Sequence, residues 1–311
     1  MKRSRIFFGT ALSAGLLFGC SDDGANDDNG GQGANGGDAN GGADEGGSSD
    51  GGSHDGGASE GGSNEGGSTS GVVRIHMTSS TEPFAHADGL SGQTPSAHKS
   101  GVRSLTLYRE EGDADALVVF DLGQDSVEVD YADGSDTLVY TANTSELKDG
   151  IFKIARVVHS YVRYEIEATM HTNGLSLPGT FDNFQALSDG SLYEGELHDA
   201  GDYNYVFTTN GMSYPASGVG APVPEWESTG GFSVQFENGE WAYYFPVNLA
   251  IDTDYTSPVD VYLGVNMHES FRWEDQSTLG YAEGVFDVTP TVFEPVLKFG
   301  ANSFEVSVEG Q

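Results

Sequence analysis

The 311-residue chain contains 48 acidic residues but only 13 lysines and arginines, so its net charge is −35 with histidine neutral. Such an acidic chain has no basic patch to neutralise phosphates, which argues against nucleic acid as a partner. Cys20 is the only cysteine, so disulfide bonds within the chain and metal sites built from several cysteines are excluded.

The first residues have the organisation of a secretory signal peptide. Lys2, Arg3 and Arg5 precede thirteen uncharged residues, Ile6 to Phe18. This apolar run is shorter than the roughly 20 residues that a membrane-spanning helix needs. A basic start followed by a short apolar run is typical of secreted proteins, and we predict a signal peptide over residues 1–19.

The end of this segment, Leu17-Phe18-Gly19-Cys20, resembles the lipobox of bacterial lipoprotein precursors. Phe18 departs from the family pattern, in which a small or β-branched residue is more usual. The resemblance covers about the first 20 residues and implies a diacylglycerol on the Cys20 thiol, cleavage before Cys20, and often a further acyl chain such as palmitate on the new amine. Stable anchoring needs more than one acyl chain. Ser21 resembles the outer-membrane class of these lipoproteins. The alternative is an ordinary signal peptide with an incidental cysteine.

The segment after the cysteine has the composition of a disordered linker. Residues 21–71 hold eleven acidic residues and no lysine or arginine, and a Gly-Gly pair recurs every five residues from Gly36 to Gly67. Without leucine, isoleucine, valine or an aromatic residue, nothing offsets the entropy of ordering the backbone. We therefore predict that residues 20–71 are a lipidated cysteine and a disordered linker that is extended by its own charge.

The remaining residues, 72–311, predict an all-β fold. The 37 acidic and 10 basic residues in this range leave a net charge of about −27. The segment 259–268 alternates apolar and polar side chains, which is typical of a half-buried strand, whereas the alternation in 101–109 is imperfect. We predict an antiparallel β-sandwich of two packed subdomains, about 72–175 and 176–311, with one large sandwich as the alternative.

Four dipeptides predict tight hairpin turns between strands: Asp133-Gly134, Asn173-Gly174, Asn210-Gly211 and Asn238-Gly239. Such turns favour antiparallel connections over helical crossovers. The segment 149–171 is ambiguous, because its apolar residues fit both a helical and a strand spacing. Its β-branched and aromatic content favours a long strand or a bent strand pair, with a short helix as the alternative.

Acidic residues in two loops, and several histidines, are candidate metal ligands. Asp252 and Asp254 lie in an acidic loop that could bind calcium, and a weaker candidate is the turn with Asp130, Asp133 and Asp136. Neither has the spacing of an EF-hand, and the alternative is a solvated loop. Among the histidines, the set His76, His86 and His98 could fold around a metal. Met267 and His268 are suitable copper ligands, but neighbours on a strand point to opposite faces.

Aromatic residues offer a different kind of site. Trp241 and Tyr243 share one face of a predicted strand, where an exposed pair could stack on a sugar ring. Packing inside the core is the alternative, and we favour it. Arg272 stands between acidic and aromatic residues, which predicts a structural ion pair or a cation–π contact.

No catalytic motif identifies an enzyme. The segment 72–311 contains no G-x-S-x-G, H-E-x-x-H or phosphate-binding loop pattern, and a serine triad without such a motif stays open. We therefore assign no cofactor and no catalytic residue. The interpretation we favour is a membrane-anchored cell-envelope lipoprotein with an extracytoplasmic binding or structural module, whose protein or carbohydrate ligand is not identified. The alternatives are an extracytoplasmic hydrolase and a carbohydrate- or calcium-binding module.

Overall fold

The computed structural model describes residues 71–221, 223, 226–227, 232–276 and 281–310. The predicted signal peptide, Cys20 and the predicted linker up to residue 70 lie outside these residues. Strands account for 61% of the structure and helix for 1%, which confirms the all-β, antiparallel prediction. Within the part of the chain that is described, no helix has the length and hydrophobicity to span a bilayer.

The described residues form twenty strands and one short 3₁₀ helix at Thr144–Glu146. The strands of the first half are β1 (Val72–Ser80), β2 (Ser91–Gln93), β3 (Ala97–Tyr108), β4 (Leu117–Asp121), β5 (Val127–Asp130), β6 (Asp136–Asn143), β7 (Gly150–Thr172), β8 (Leu175–Ala186), β9 (Ser191–Tyr193) and β10 (Glu196–His198). Those of the second half are β11 (Tyr203–Thr209), β12 (Met212–Gly218), β13 (Trp226–Glu227), β14 (Ser233–Glu237), β15 (Glu240–Ile251), β16 (Val259–Asn266), β17 (Phe271–Trp273), β18 (Asp287–Val288), β19 (Val296–Lys298) and β20 (Ser303–Glu309).

The largest sheet is built around β7, a single strand of 23 residues. One edge of β7 pairs with β3, which pairs in turn with β4 and β5. The opposite edge pairs with β15 over the first half of β7 and with β8 over the second half. Because β7 is one long strand, the helical alternative for 149–171 is wrong, and its β-branched residues explain the preference.

A second sheet of four strands has the order β20-β16-β1-β6. β1 pairs with β16 in parallel, although the two strands lie far apart in the chain. This pairing departs from the purely antiparallel prediction, which considered only neighbouring segments. The described residues also form two smaller sheets, β19-β17-β2 and β9-β10.

The core lies between the two larger sheets. The alternation predicted for β16 is confirmed, since Val259, Val261, Leu263 and Val265 are all buried. Val259 and Val261 line one part of the interior together with Leu107 of β3 and Leu249 of β15. The rings of Phe245 on β15 and Phe304 on β20 stack across this interface with their centroids 4.0 Å apart.

Three of the four predicted hairpin turns are confirmed. At 173–174, 210–211 and 238–239 both turn residues have positive φ, as a two-residue turn that matches strand twist requires. The hairpin predicted at Asp133-Gly134 is wrong, because β5 pairs with β3 whereas β6 pairs with β1. This turn carries the chain from one sheet to the other.

The imperfect alternation in 101–109 has a structural cause. The register between β3 and β7 shifts on both sides of Val102, so that Val102, Leu105 and Leu107 are all buried although their spacing is irregular. The subdomain boundary predicted at 175/176 falls in the β7-β8 hairpin, so the two predicted subdomains share the large sheet.

Candidate functional site

The strongest arrangement of reactive side chains lies at the tip of the β7-β8 hairpin. His171 on β7 and Ser176 on β8 are directly opposed in the strand register. Their side chains meet, and Ser176 Oγ lies 3.0 Å from His171 Nδ1. The two-residue turn at 173–174 sets this register and therefore holds the hydroxyl against the imidazole.

A buried carboxylate orients the imidazole. Asp287 on β18 is 1% exposed, and its Oδ1 lies 2.6 Å from His171 Nε2. Its other oxygen accepts a hydrogen bond from the Ala282 backbone at 3.0 Å. The Tyr281 ring stacks on His171 with 4.7 Å between ring centroids.

A second acidic residue, Glu294, holds the backbone of Asp287 in place. Glu294 accepts hydrogen bonds from the backbone N–H groups of Asp287 and Gln276, at 2.8 and 2.6 Å. Burial raises the pKa of Glu294 above its ordinary value, despite these hydrogen bonds. The backbone and one carboxylate oxygen of Asp287 are therefore held by hydrogen bonds within the protein, and its other oxygen binds His171.

This geometry suits a serine hydroxyl activated by a general base. An ionised Asp287 can only accept, so Nε2 of His171 donates to it and Nδ1 is left as an acceptor. Ser176 then donates its hydroxyl proton to Nδ1, which is the arrangement of an activated nucleophile. In serine proteases the aspartate contacts Nδ1 of the histidine and the serine contacts Nε2. Here the aspartate contacts Nε2 and the serine contacts Nδ1.

A second polar cluster is buried between the two large sheets. His98, Ser100, Tyr131, His159 and Tyr243 line a cavity of about 30 Å³, room for one or two waters. Ser100 Oγ lies 2.9 Å from His159 Nδ1 and 3.1 Å from the Tyr131 hydroxyl. Burial lowers the pKa of His98 to about 4 and that of His159 to about 3, so both rings are neutral at pH 7.

The outer face of the four-stranded sheet carries a third cluster. Arg74 donates two hydrogen bonds of 2.6 Å to Asp260. His76 lies between two carboxylates, 2.8 Å from Asp136 and 3.2 Å from Asp260, and its ring is 4.8 Å from that of Tyr262. Hydrogen bonds from Arg74 lower the pKa of Asp260.

Comparison with protein-family models, with curated proteins and with solved structures found no match.

The predicted calcium ligands lie in an exposed loop after β15. Asp252 accepts a hydrogen bond of 2.9 Å from the Asp254 backbone, which closes the turn. Both carboxylates are exposed, and calcium binding here stays a prediction. In the other acidic turn, the carboxylates of Asp133 and Asp136 bind Thr81 and His76 respectively.

The aromatic pair does not form an exposed row. Tyr243 is 6% exposed, with its ring 4.8 Å from that of His159 in the core. Trp241 is half-buried and packs on Phe236, its partner across the hairpin, at 5.1 Å. The core-packing alternative therefore describes Tyr243, since burial of the ring removes it from any external ligand.

The predicted histidine set is separated by the fold. His76 lies on an outer sheet face, His86 in a loop and His98 in the core, so the three do not meet. Among the described residues, the one group of three with metal-ligand proximity is His86, His268 and Glu269. Met267 and His268 lie in the turn after β16 rather than on the predicted strand, and Met267 is buried in the core whereas His268 is half-buried.

The ion pair predicted for Arg272 is confirmed. Its guanidinium is buried and donates to Asp88 and to the Leu90 carbonyl, both at 2.6 Å. Burial alone would raise the pKa of Asp88, but hydrogen bonds from Arg272, Leu90 and Lys298 outweigh it and lower that pKa. The pair ties the loop before β2 to β17.

The group formed by Ser176, His171 and Asp287 was not predicted from the sequence. The contact between His171 and Ser176 could have been predicted from the turn at 173–174, because a two-residue hairpin places residues 171 and 176 opposite each other. Asp287 is 116 residues away from His171, and no local pattern connects them.

Proposed function

We propose that this chain is a cell-envelope lipoprotein of the outer membrane, anchored by lipid on Cys20, whose β-sandwich is an extracytoplasmic binding or structural module. The observation that carries the proposal is the lipobox-like sequence Leu17-Phe18-Gly19-Cys20, followed at once by an acidic, glycine-rich segment. The lipid makes the membrane the direct partner of Cys20.

The architecture of the described residues supports a tethered module. The first strand of the described residues, β1, starts at Val72, directly after the predicted linker. Gly71 is held by backbone hydrogen bonds to Tyr255 and Thr144, so the chain enters the sandwich at one defined end of β1. The covalent path from Cys20 leads to this end.

Lipid labelling in a bacterial host tests the anchor. The wild-type protein should incorporate an alkyne-tagged fatty acid and enter the detergent phase of a detergent phase separation, because two or more acyl chains anchor stably. Cys20→Ser should lose the label and move to the aqueous phase. An unlabelled wild-type protein in the aqueous phase would refute the proposal.

The same strains test the membrane of residence. Separation of inner and outer membranes on a density gradient should place the wild type and Ser21→Ala in the outer membrane, and Ser21→Asp in the inner membrane. Wild-type protein in the inner membrane would contradict the outer-membrane part and leave the anchor unaffected.

The serine, histidine and aspartate at the β7-β8 hairpin favour a second candidate, an extracytoplasmic esterase or related hydrolase. In this function Ser176 Oγ attacks the carbonyl carbon of an ester while its proton passes to His171 Nδ1. The proton then moves to the leaving alcohol as the C–O bond breaks, and water releases the acyl group by the reverse sequence.

A fluorophosphonate probe tests this candidate, since an activated serine displaces fluoride and forms a stable phosphorus–oxygen bond. We expect labelling at Ser176, with at least a tenfold loss in Ser176→Ala and in His171→Ala. Ser213→Ala is the matched control, because Ser213 is an exposed strand serine that faces Thr208 rather than a histidine. Equal labelling of the wild type and Ser176→Ala would eliminate the hydrolase.

A further inference from the structure

We infer that His86, His268 and Glu269 form a site for a divalent transition-metal ion, with Zn²⁺ as the best fit. One ligand atom from each residue lies within 4.8 Å of the others. His86 comes from the loop between β1 and β2, whereas His268 and Glu269 come from the turn between β16 and β17. Two segments that are distant in the chain therefore converge on one point at the surface.

The turn that carries two of the ligands is held from several sides. Asn302 donates a hydrogen bond of 2.6 Å to the His268 carbonyl, and Asn266 accepts one of 3.1 Å from the His268 backbone. Glu269 has a positive φ of 48°, and its backbone N–H donates to Thr94 at 2.8 Å. These contacts fix the backbone of the turn and place the Glu269 side chain beside His268.

His86 is oriented as a metal-binding histidine usually is. Its Nε2 lies 3.2 Å from the His268 carbonyl and donates to it, which leaves Nδ1 with a free lone pair. Metal-ligating histidines commonly donate their second ring nitrogen to a backbone carbonyl in this way. The Phe84 ring packs edge-on against His86 at 5.2 Å and restricts its rotation.

His268 and Glu269 each have one competing contact. The Phe84 backbone N–H approaches His268 Nδ1 at 3.3 Å, and Arg272 approaches one oxygen of Glu269 at 3.4 Å. Both contacts are longer than a typical hydrogen bond. Arg272 also keeps its shorter bonds to Asp88 and Leu90 when Glu269 turns to a metal. Binding therefore replaces two weak contacts.

The ligand chemistry selects the metal. Two imidazoles and one carboxylate suit Zn²⁺ better than Ca²⁺ or Mg²⁺, which prefer six or more oxygen ligands. Three protein ligands leave a fourth tetrahedral position for water or for a donor group of a partner. The net charge of about −27 on residues 72–311 adds a general attraction for cations.

The site lies at the opposite end of the sandwich from Gly71. β1 and β16 run in parallel from the end that holds Gly71 and Tyr255 to the end that holds the Asn266 turn. Nine extended residues in β1 span about 30 Å. A donor group on another molecule can therefore approach the metal without contact with the entry end of the domain.

Zinc titration of the full-length Cys20→Ser protein in mild detergent tests the inference, since this background removes the one thiol that could also bind the metal. Calorimetry in excess Mg²⁺ at fixed ionic strength suppresses non-specific binding to the acidic surface. We expect one Zn²⁺ per chain with a micromolar Kd, and at least a tenfold weaker Kd in His86→Gln, His268→Gln and Glu269→Gln.

Two matched controls separate the site from general charge effects. His198→Gln and Glu305→Gln change a histidine and a glutamate that lie on other strands, β10 and β20, and should leave the Kd unchanged. Co²⁺ should give the visible absorption of a four-coordinate ion in the wild type and lose it in His268→Gln. Folding of each variant is checked by its melting curve. The absence of saturable binding, or a Kd equal in wild type and all three ligand variants, would overturn the inference.

Discussion

At the scale of single residues, the two buried histidines are the most pH-sensitive groups of the core. His98 and His159 are 5% and 6% exposed, and burial is the main cause of their low pKa values of about 4 and about 3. The proximity of His98 lowers the pKa of His159 further. Both side chains are therefore packed as neutral rings, and Nδ1 of His98 has no hydrogen-bond partner within the described residues.

These values predict acid sensitivity with a definite sign. Between about pH 6.5 and pH 4 the unfolded chain protonates both histidines and the folded chain does not, so the free energy of unfolding falls as the pH falls. Each histidine contributes at most about 1.4 kcal/mol per pH unit. Urea unfolding at pH 7, 6 and 5 should show a shallower pH dependence in His159→Asn than in the wild type.

The control for this prediction is His54→Asn, because His54 belongs to the predicted linker and should protonate equally in both states. An unchanged slope in His159→Asn would mean that the neutral, buried state of the ring does not govern the acid response.

At the scale of secondary-structure elements, Gly211 and Gly179 are needed for two different physical reasons. Gly211 has φ of 76° in the β11-β12 turn, where a methyl group in place of the hydrogen would meet open space. Gly179 on β8 has an ordinary strand conformation, but a methyl group there would collide with the Thr208 carbonyl and lie 2.8 Å from the Phe207 ring. The first glycine serves backbone geometry and the second serves close packing of β8 on β11.

This difference predicts an order of stability losses. Gly211→Ala should lower the free energy of unfolding by about 1 kcal/mol through its left-handed conformation alone. Gly179→Ala should cost about 2–3 kcal/mol, because backbone and a fully buried ring must shift. Urea denaturation of both variants measures the two losses. A smaller loss for Gly179→Ala than for Gly211→Ala would contradict the strand packing described above.

At the scale of the whole molecule, the few positive charges are used internally. Of the ten basic residues after position 71, eight form ion pairs: Arg74, Lys99, Arg109, Lys148, Arg156, Arg163, Arg272 and Lys298. Among the described acidic residues, only Asp287 and Glu294 are buried, so most of the acidic excess of about 27 charges lies at the surface. Such a surface repels anionic partners and attracts cations, which is why zinc binding has to be measured against excess Mg²⁺.

Part of the candidate site could be predicted from local sequence. A two-residue turn at Asn173-Gly174 sets the hairpin register, and this register places His171 opposite Ser176. The third member, Asp287, reaches His171 because β18 pairs in parallel with the end of β7. No turn or side-chain alternation indicates which distant strand a short parallel strand will pair with, so this contact could not be predicted from the sequence.

The sequence by itself determined the strand content and most of the turns, because side-chain alternation and Asn-Gly turns act over a few residues. It also contains the lipobox-like segment on which the proposed anchor depends. Only the tertiary structure decided the parallel pairing of β1 with β16, the burial of Tyr243 and the convergence of His86 with His268 and Glu269. These features join segments that are far apart in the chain, and their pairing depends on how whole sheets pack rather than on any local preference.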